Sequence, residues 1–226
     1  MVVPSSSSWI VLNKWFWPLI FGWFILHCSK ELETLVKNYF DQDGFPLTRN
    51  PSDLIFFSKH LILCKECIKD AQQYIPEFLE NIIDKNLICI KNILTPNDQI
   101  PLFNGGTEED LQQFNKFIDD LDYKLKGKKN IVGGIQIFKF KNSSIFFDVG
   151  KPPDKGFSSS YQSGPLSFEY YLDGRKIITN CGFGSNISPK AELLSRLTSA
   201  QSTLTLNDNS VSKFERNKLI NKIFGN

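Results

Sequence analysis

The feature that most constrains the fold is a change in hydrophobic periodicity near residue 127. Before this point apolar residues recur at spacings of three and four, the pattern of helices with one buried face. From Ile131 onward they alternate with polar residues, the pattern of strands with one buried face. The sequence therefore predicts an α+β protein, with a helical domain over 1–126 and an antiparallel β-sandwich-like domain over 127–226.

Four amphipathic helices are predicted between residues 30 and 125. Ser52 and Pro76 are expected at the starts of the second and third helices, because a serine side chain can cap free N–H groups and proline loses no hydrogen bond there. Thr107 and the acidic residues after it are expected to begin the fourth, since negative charge stabilises the first turn. The expected helices run over 30–40, 52–74, 76–94 and 107–125.

The second half contains a strong hairpin signal. Residues 168–172 alternate between apolar and polar, Asp173-Gly174 favours a tight turn, and 176–179 returns. On pattern alone this would also suit an ordinary surface hairpin.

Residues 135–140 and 144–148 are expected to pair, and Leu204–Leu206 is expected to add a strand. The total of five or six strands is low for a two-sheet sandwich.

The most apolar stretch of the chain is WFWPLIFGWFIL, residues 15–26. Extended back to Trp9 it reaches about the 20 residues that a membrane span needs, but Pro18 and Gly22 interrupt it. It lacks a basic start and a small-residue cleavage site, which a signal peptide would have. Residues 9–27 are therefore interpreted as a buried helix, with a membrane anchor or signal as the alternatives.

The five cysteines are an odd number and do not form a disulfide-scaffold pattern. Cys64 and Cys67 make a C-x-x-C within a predicted helix, but no second ligand pair for zinc accompanies them. No βαβ pattern is present that would indicate a redox motif. We predict two core thiols one helical turn apart, and neither a metal site nor a cofactor.

The net charge of +2 hides an asymmetry between the two halves. Residues 127–226 carry 14 Lys/Arg and 7 Asp/Glu, a net charge of +7. Residues 1–126 carry 12 and 17, a net charge of −5. A basic β half favours an acidic partner, either a uronate-bearing polysaccharide or nucleic acid, although lysines spread over all faces would give the same count.

Three blocks in the second half resemble one known family: SGPLSFE at 163–169, DGRKIITNCG at 173–182 and SRLTSAQSTLTL at 195–206. Arg49-Asn50-Pro51 and the run 102–106 match loop motifs of the same family. In this order they resemble the heparinase II/III-like proteins, whose characterised members are polysaccharide lyases. The resemblance implies a partial α/α toroid followed by the start of a β-sandwich, over roughly 30–210. The helices alone would equally fit a plain bundle.

The resemblance also implies a site. A lyase must neutralise a uronate carboxylate, remove the C5 proton and protonate the leaving oxygen. The family histidines correspond here to Gln162 and Gln201, and glutamine cannot transfer a proton near neutral pH. The expected catalytic residues are Tyr161 and Gln162, and the expected substrate-binding residues are Asn180, Arg196 and Gln201. The alternative is structural, with Arg196 and Glu169 as cross-strand partners and the glutamines as strand caps.

Two functions from different classes follow. The first is a heparinase II/III-like lyase homologue that acts on acidic polysaccharide by β-elimination, in a chain that begins after much of the toroid. The second is a non-catalytic protein that binds acidic glycans. The expected partner is an acidic polysaccharide rather than nucleic acid, membrane association through 9–27 is the less favoured possibility, and the family resemblance implies the periplasm or cell envelope.

Overall fold

The computed structural model describes residues 29–95, 97–108, 111–207 and 209–212. The apolar segment 9–27, interpreted from the sequence as a buried helix or alternatively a membrane anchor or signal, lies outside the described residues. The predicted polar tail after residue 212 also lies outside them. In the part that is described, no helix combines the length and the apolarity needed to cross a membrane.

The helices of the first half lie close to their predicted positions, but their ends differ from those predicted. Asn50 caps the second helix in place of Ser52, because its side chain accepts the Ser52 N–H at 2.9 Å and Pro51 takes the first helical position. Thr107 does not begin the fourth helix, which is much shorter than expected. The helices are α1 over 29–39, α2 Pro51–Asp70, α3 Glu77–Ile93, α4 Gln112–Asp120 and, after the strands, α5 Pro189–Ser195.

The described strands form one antiparallel sheet in which each strand pairs with the next along the chain. The predicted hairpin is confirmed, and Asp173 and Gly174 both have positive φ, 47° and 76°, as its tight turn requires. The expected strand at Leu204–Leu206 is wrong, since Leu206 makes only an isolated bridge to Asn209. The strands are β1 Ile131–Val132, β2 Ile135–Lys139, β3 Ser143–Asp148, β4 Phe168–Leu172 and β5 Arg175–Ile178.

The sheet turns one face towards the helices. Alternation in β3 and β4 buries Phe146 and Tyr171, whose rings meet edge to face with centroids 5.7 Å apart. They join one hydrophobic cluster with buried side chains of α2, α3 and α4. The α+β architecture is therefore confirmed, while the division into domains at residue 126 stays a prediction.

The prediction of two core thiols in α2 is wrong. Cys64 and Cys67 are both exposed, whereas the buried face of α2 is formed by apolar residues such as Leu54, Leu61 and Ile62. No group of three potential metal ligands occurs among the described residues. The pair is thus a surface feature of the helix.

A buried ion pair joins the helical half to the sheet. Arg49, in the loop before α2, is only 9% exposed and has a positive φ of 58°, an uncommon conformation for a side chain of this size. Its guanidinium pairs with the Asp148 carboxylate at the end of β3. It also donates to the carbonyls of Gly133 at 3.0 Å, Gly134 at 3.3 Å and Lys151 at 2.8 Å. One side chain therefore joins two segments of the β half, the turn between β1 and β2 and the end of β3 with the loop that follows it.

Replacing Arg49 with alanine should lower the free energy of unfolding by about 3–5 kcal/mol, because Asp148 is left charged and buried without its partner. Urea denaturation followed by circular dichroism measures the change. Arg49→Lys should give a smaller loss, since an ammonium keeps the charge but cannot reach all the acceptors.

The matched control is Lys37→Ala, which removes the exposed Lys37–Glu33 pair on α1 and should cost about 0.5 kcal/mol or less. Equal losses for Arg49→Ala and Lys37→Ala would contradict the role given to the buried pair.

Candidate functional site

The predicted site residues lie where the helical half meets the sheet. We call this zone the helix–sheet seam. On the helical side it comprises residues 48–50 and 102–106. On the sheet side it comprises Asp148, residues 158–162, Glu169, Asn180, Arg196 and Gln201. Arg49 and Asp148 occupy its centre. The two loop motifs singled out in the sequence, around Arg49 and in 102–106, both belong to the seam.

Hydrogen bonds from side chains and the close approach of Gly105 hold the 102–106 loop against the sheet side. The Asn104 amide donates to the second Asp148 carboxylate oxygen at 3.1 Å, and the Ser160 hydroxyl donates to the Asn104 carbonyl at 3.3 Å. Gly105 has a φ of +100°, and a Cβ atom there would lie 2.6 Å from the Cβ of Ser160. Only glycine suits this position, because both the conformation and the space exclude a side chain.

Gln162 is 2% exposed, and both polar atoms of its amide are used within the protein. Its Oε1 accepts the Gly105 N–H at 3.1 Å across the seam. Its Nε2 donates to the Gly182 carbonyl at 2.7 Å and to the Ser195 carbonyl at 2.9 Å. The side chain thus bridges the helical loop, the segment after β5 and the end of α5.

Gln201 meets Gln162 at the same acceptor. Helix α5 starts at Pro189 because the Ser188 hydroxyl accepts the Ala191 N–H at 3.1 Å. At its other end the Ser195 carbonyl accepts from Gln201 Nε2 at 2.7 Å as well as from Gln162. Two glutamine amides therefore satisfy one helix-terminal carbonyl.

Arg196 directly follows α5 and anchors the Tyr161 segment. Its Nε donates to the Tyr161 carbonyl at 3.0 Å and one terminal nitrogen donates to the Ser158 carbonyl at 3.2 Å. The Arg196 carbonyl in turn accepts the Ser163 N–H at 2.9 Å. Because Arg196 lies at a helix end rather than on a strand, the alternative of a cross-strand pair with Glu169 is wrong.

Asn180 lies just after β5, beside the segment that carries Gln201. Its Oδ1 accepts from both the backbone N–H and the hydroxyl of Ser202, each at 3.0 Å. Its Nδ2 is buried without a hydrogen-bond partner among the described residues. The structure thus brings all five predicted residues into one cluster, with Asn180 at its margin.

Glu169 is the cluster's buried carboxylate and is fully inaccessible. It accepts from the Tyr171 hydroxyl at 2.6 Å, the Thr179 hydroxyl at 2.9 Å, and the backbone N–H groups of Asn180 at 3.0 Å and Leu102 at 3.2 Å. Four donors to one carboxylate offset the cost of burying its charge. The Leu102 contact makes it a second link between the helical loop and the sheet.

The Tyr161 phenol is poorly placed to act as a base. Burial raises its pKa above the ordinary value of about 10, and the Asp148 charge raises it further. The Arg49 charge and a hydrogen bond with Ser212 lower it, without reversing the shift. Tyr161 is 6% exposed, so the phenol is both protonated and largely withdrawn from solvent near neutral pH.

The sequence analysis does not single out Asp148, and it considers Glu169 only as a cross-strand partner of Arg196, yet both carry buried charge at the seam. Arg49 and Asn104 were noticed only as parts of loop motifs. The signal for Asp148 was a carboxylate in the inward phase of an alternating strand, where an apolar residue is expected. A buried acid in that position requires a partner, and Arg49 lies 99 residues away in the sequence.

Comparison with known proteins identifies the architecture. Residues 126–224 match the family described as heparinase II/III-like, C-terminal. No curated protein matches the chain. The family match over 126–224 confirms the resemblance that the three sequence blocks predict.

Solved structures extend the similarity into the helical half. The heparan sulfate lyase HepC from Pedobacter heparinus has a TM-score of 0.66 at 18% identity, covering 79% of this chain and 32% of that one. A heparinase III has a TM-score of 0.64 at 14% identity, covering 81% and 35%. Another heparinase III, with methylated lysines, has a TM-score of 0.67 at 15% identity, covering 80% and 32%. The fold is shared, and this chain spans 32–35% of the length of these three proteins.

Gln162→Glu should lower the free energy of unfolding by about 2–3 kcal/mol. The change replaces a donor that faces the Gly182 and Ser195 carbonyls with a negative oxygen, at constant shape. Urea denaturation at pH 7 measures the loss. Gln113→Glu makes the same chemical change at an exposed position of α4 and should stay within about 0.5 kcal/mol. An unchanged free energy of unfolding in Gln162→Glu would contradict the bridging role.

Ultraviolet titration of the phenols should show Tyr161 ionising above pH 10. The difference between the titration curves of the unmodified protein and Tyr161→Phe isolates this phenol, with N-acetyltyrosinamide as the reference for an ordinary pKa of about 10. A Tyr161 midpoint at or below the reference value would contradict the effect of burial and would restore Tyr161 as a candidate base.

Proposed function

We propose that this chain binds acidic, uronate-containing polysaccharide and forms one wall of a lyase-type cleft at the helix–sheet seam. Residues 126–224 match the heparinase II/III-like C-terminal family, which supports this proposal. The family match of the β half carries the proposal. Solved structures of the same fold include one named as a heparan sulfate lyase, which supports a sulfated uronate polymer as the ligand class.

The charge of the chain is consistent with such a ligand. Residues 127–226 carry a surplus of seven positive charges. A field of this sign concentrates a polyanion near the β half and speeds its association. Arg196, whose guanidinium donates to the Tyr161 and Ser158 carbonyls, adds a positive charge to this cluster.

We further propose that the residues of this seam do not themselves carry out β-elimination. The reaction needs one group that takes the C5 proton and one that protonates the leaving oxygen. Gln162 and Gln201 cannot do either, and their amides are occupied with backbone groups. Tyr161 is buried with a raised pKa. Residues 127–226 contain no histidine in the sequence.

The resulting function is a binding and positioning one. The buried Arg49–Asp148 pair and the Gln162 bridge fix the elements around the seam in place, so that a polysaccharide would meet a preformed surface formed by those elements. Proton transfer would require groups other than these seam residues. An active lyase that uses Tyr161 as both base and acid is the competing function, and it predicts a different result in the same assay.

The purified chain should bind heparan sulfate or alginate without cleaving it. Isothermal titration calorimetry measures binding, and absorbance near 232 nm detects the unsaturated uronate that β-elimination creates. We expect salt-sensitive binding and no increase in absorbance. Neutral dextran serves as the control polymer and should not bind.

An absorbance increase that Tyr161→Phe abolishes would overturn the non-catalytic assignment in favour of the lyase. Absence of binding to every uronate polymer would overturn the proposed ligand class.

A further inference from the structure

A second region with polyanion-binding chemistry lies away from the seam. A pocket of about 460 Å³ opens between the end of α3, the loop 127–130 and the end of β2. We call it the lysine pocket and define it by Lys91, Lys128, Lys129, Lys139, Phe138 and Phe140. None of the residues that line it is acidic.

The four lysines are not equivalent. Lys129 forms an ion pair with Asp43 at 2.5 Å. Lys139 donates to the carbonyls of Leu94 at 2.8 Å and Lys91 at 3.4 Å, and thereby caps the negative end of α3. Lys91 and Lys128 are exposed, and neither forms a salt bridge with any carboxylate among the described residues. Two ammonium groups at the mouth of the pocket are therefore available to an anion.

The lysines also repel one another. Burial lowers the pKa of Lys139, and the charge of Lys91 lowers it further. Such a shift means that the protonated, positively charged form is disfavoured by its surroundings. A bound anion between Lys91 and Lys139 would offset the repulsion between their charges, although not the effect of burial, and the pocket gains from an anionic occupant on that account.

Two aromatic rings make the pocket more specific than a basic patch. Phe138 is 43% exposed and Phe140 is 63% exposed, both on or just after β2. An exposed phenyl ring offers an apolar face to the C–H groups of a sugar ring, while the lysines contact its sulfate or carboxylate groups as flexible point charges. Small inorganic anions would use only the lysines.

The lysine pocket and the seam lie at opposite ends of the same strand. Asp148 of the seam pairs with Ile135, the first residue of β2, whereas Phe138 and Lys139 are its last two residues. Four residue steps of about 3.3 Å separate Ile135 from Lys139, or roughly 13 Å. A chain of several sugar units could therefore contact both regions.

We propose that the lysine pocket is a separate binding site for a sulfated or carboxylated segment of polysaccharide, outside the seam. In its ligand class this inference rests on the proposed function. The site would hold a part of the polymer distant from the seam and raise the affinity for long chains over short ones, because two linked contacts reinforce each other.

The test compares two double variants of the full chain in binding a heparan-type decasaccharide by calorimetry. Lys91→Ala/Lys128→Ala removes the two unpaired charges of the pocket and leaves the α3 cap of Lys139 intact. We expect the dissociation constant to rise about tenfold and its salt dependence to weaken. Lys116→Ala/Lys190→Ala removes two exposed lysines elsewhere and should leave the constant within about twofold.

A third variant, Phe140→Ala, separates a sugar site from a simple anion site. It should weaken decasaccharide binding while leaving the weak binding of inorganic sulfate unchanged. Thermal melting of every variant verifies that the fold is retained.

The outcomes distinguish this inference from the proposed function. If the unmodified protein binds the decasaccharide and both double variants bind it with the same affinity, the lysine pocket is overturned and the proposed function stands. Unmodified protein that binds no acidic glycan overturns both. Tighter binding of single-stranded DNA than of the decasaccharide, lost in the pocket variant, keeps the pocket as an anion site but overturns its assignment to polysaccharide.

Discussion

The structure depends on one buried ion pair, between Arg49 in a helical loop and Asp148 at the end of β3. Isolated buried charges are costly, and this pair is tolerated because the remaining donors and acceptors are also used. The Arg49 guanidinium satisfies three backbone carbonyls, and the second oxygen of Asp148 accepts from Asn104. These contacts set the distance between helices and sheet, which in turn allows Gly105 and Gln162 to meet.

Within that frame, Gln162 and Gln201 have a chemistry that differs from the one the family resemblance implies for their positions. An amide can donate and accept at once, so Gln162 can bridge the Gly105 N–H and two carbonyls without changing its protonation. A neutral imidazole has one donor and one acceptor and could not make all three contacts. Gln162 therefore uses both polar atoms of its amide and cannot carry a proton, which agrees with the proposed role in binding and positioning.

The parts of the fold that depend on local pattern could be predicted from the sequence. The Asp173-Gly174 turn follows from backbone sterics, and β2 to β5 follow from alternation. Boundaries were less accurate, because Asn50 and Ser52 are both competent caps and only the structure decides between them. The exposure of Cys64 and Cys67 depends on which face of α2 meets its neighbours. The Arg49–Asp148 pair could not be predicted, since nothing local connects residues 99 positions apart.

The order of the strands has a consequence for how the chain assembles. Each strand pairs with its sequence neighbour, so the sheet can grow hairpin by hairpin while closing only modest loops. The contact between Arg49 and Asp148 closes a far longer loop and gains its partners only once the sheet edge exists. Interactions that form after the rate-limiting step act mainly on the rate of unfolding. Because its long loop predicts late formation, we expect the Arg49–Asp148 contact to govern how long the native state persists rather than how quickly it is reached.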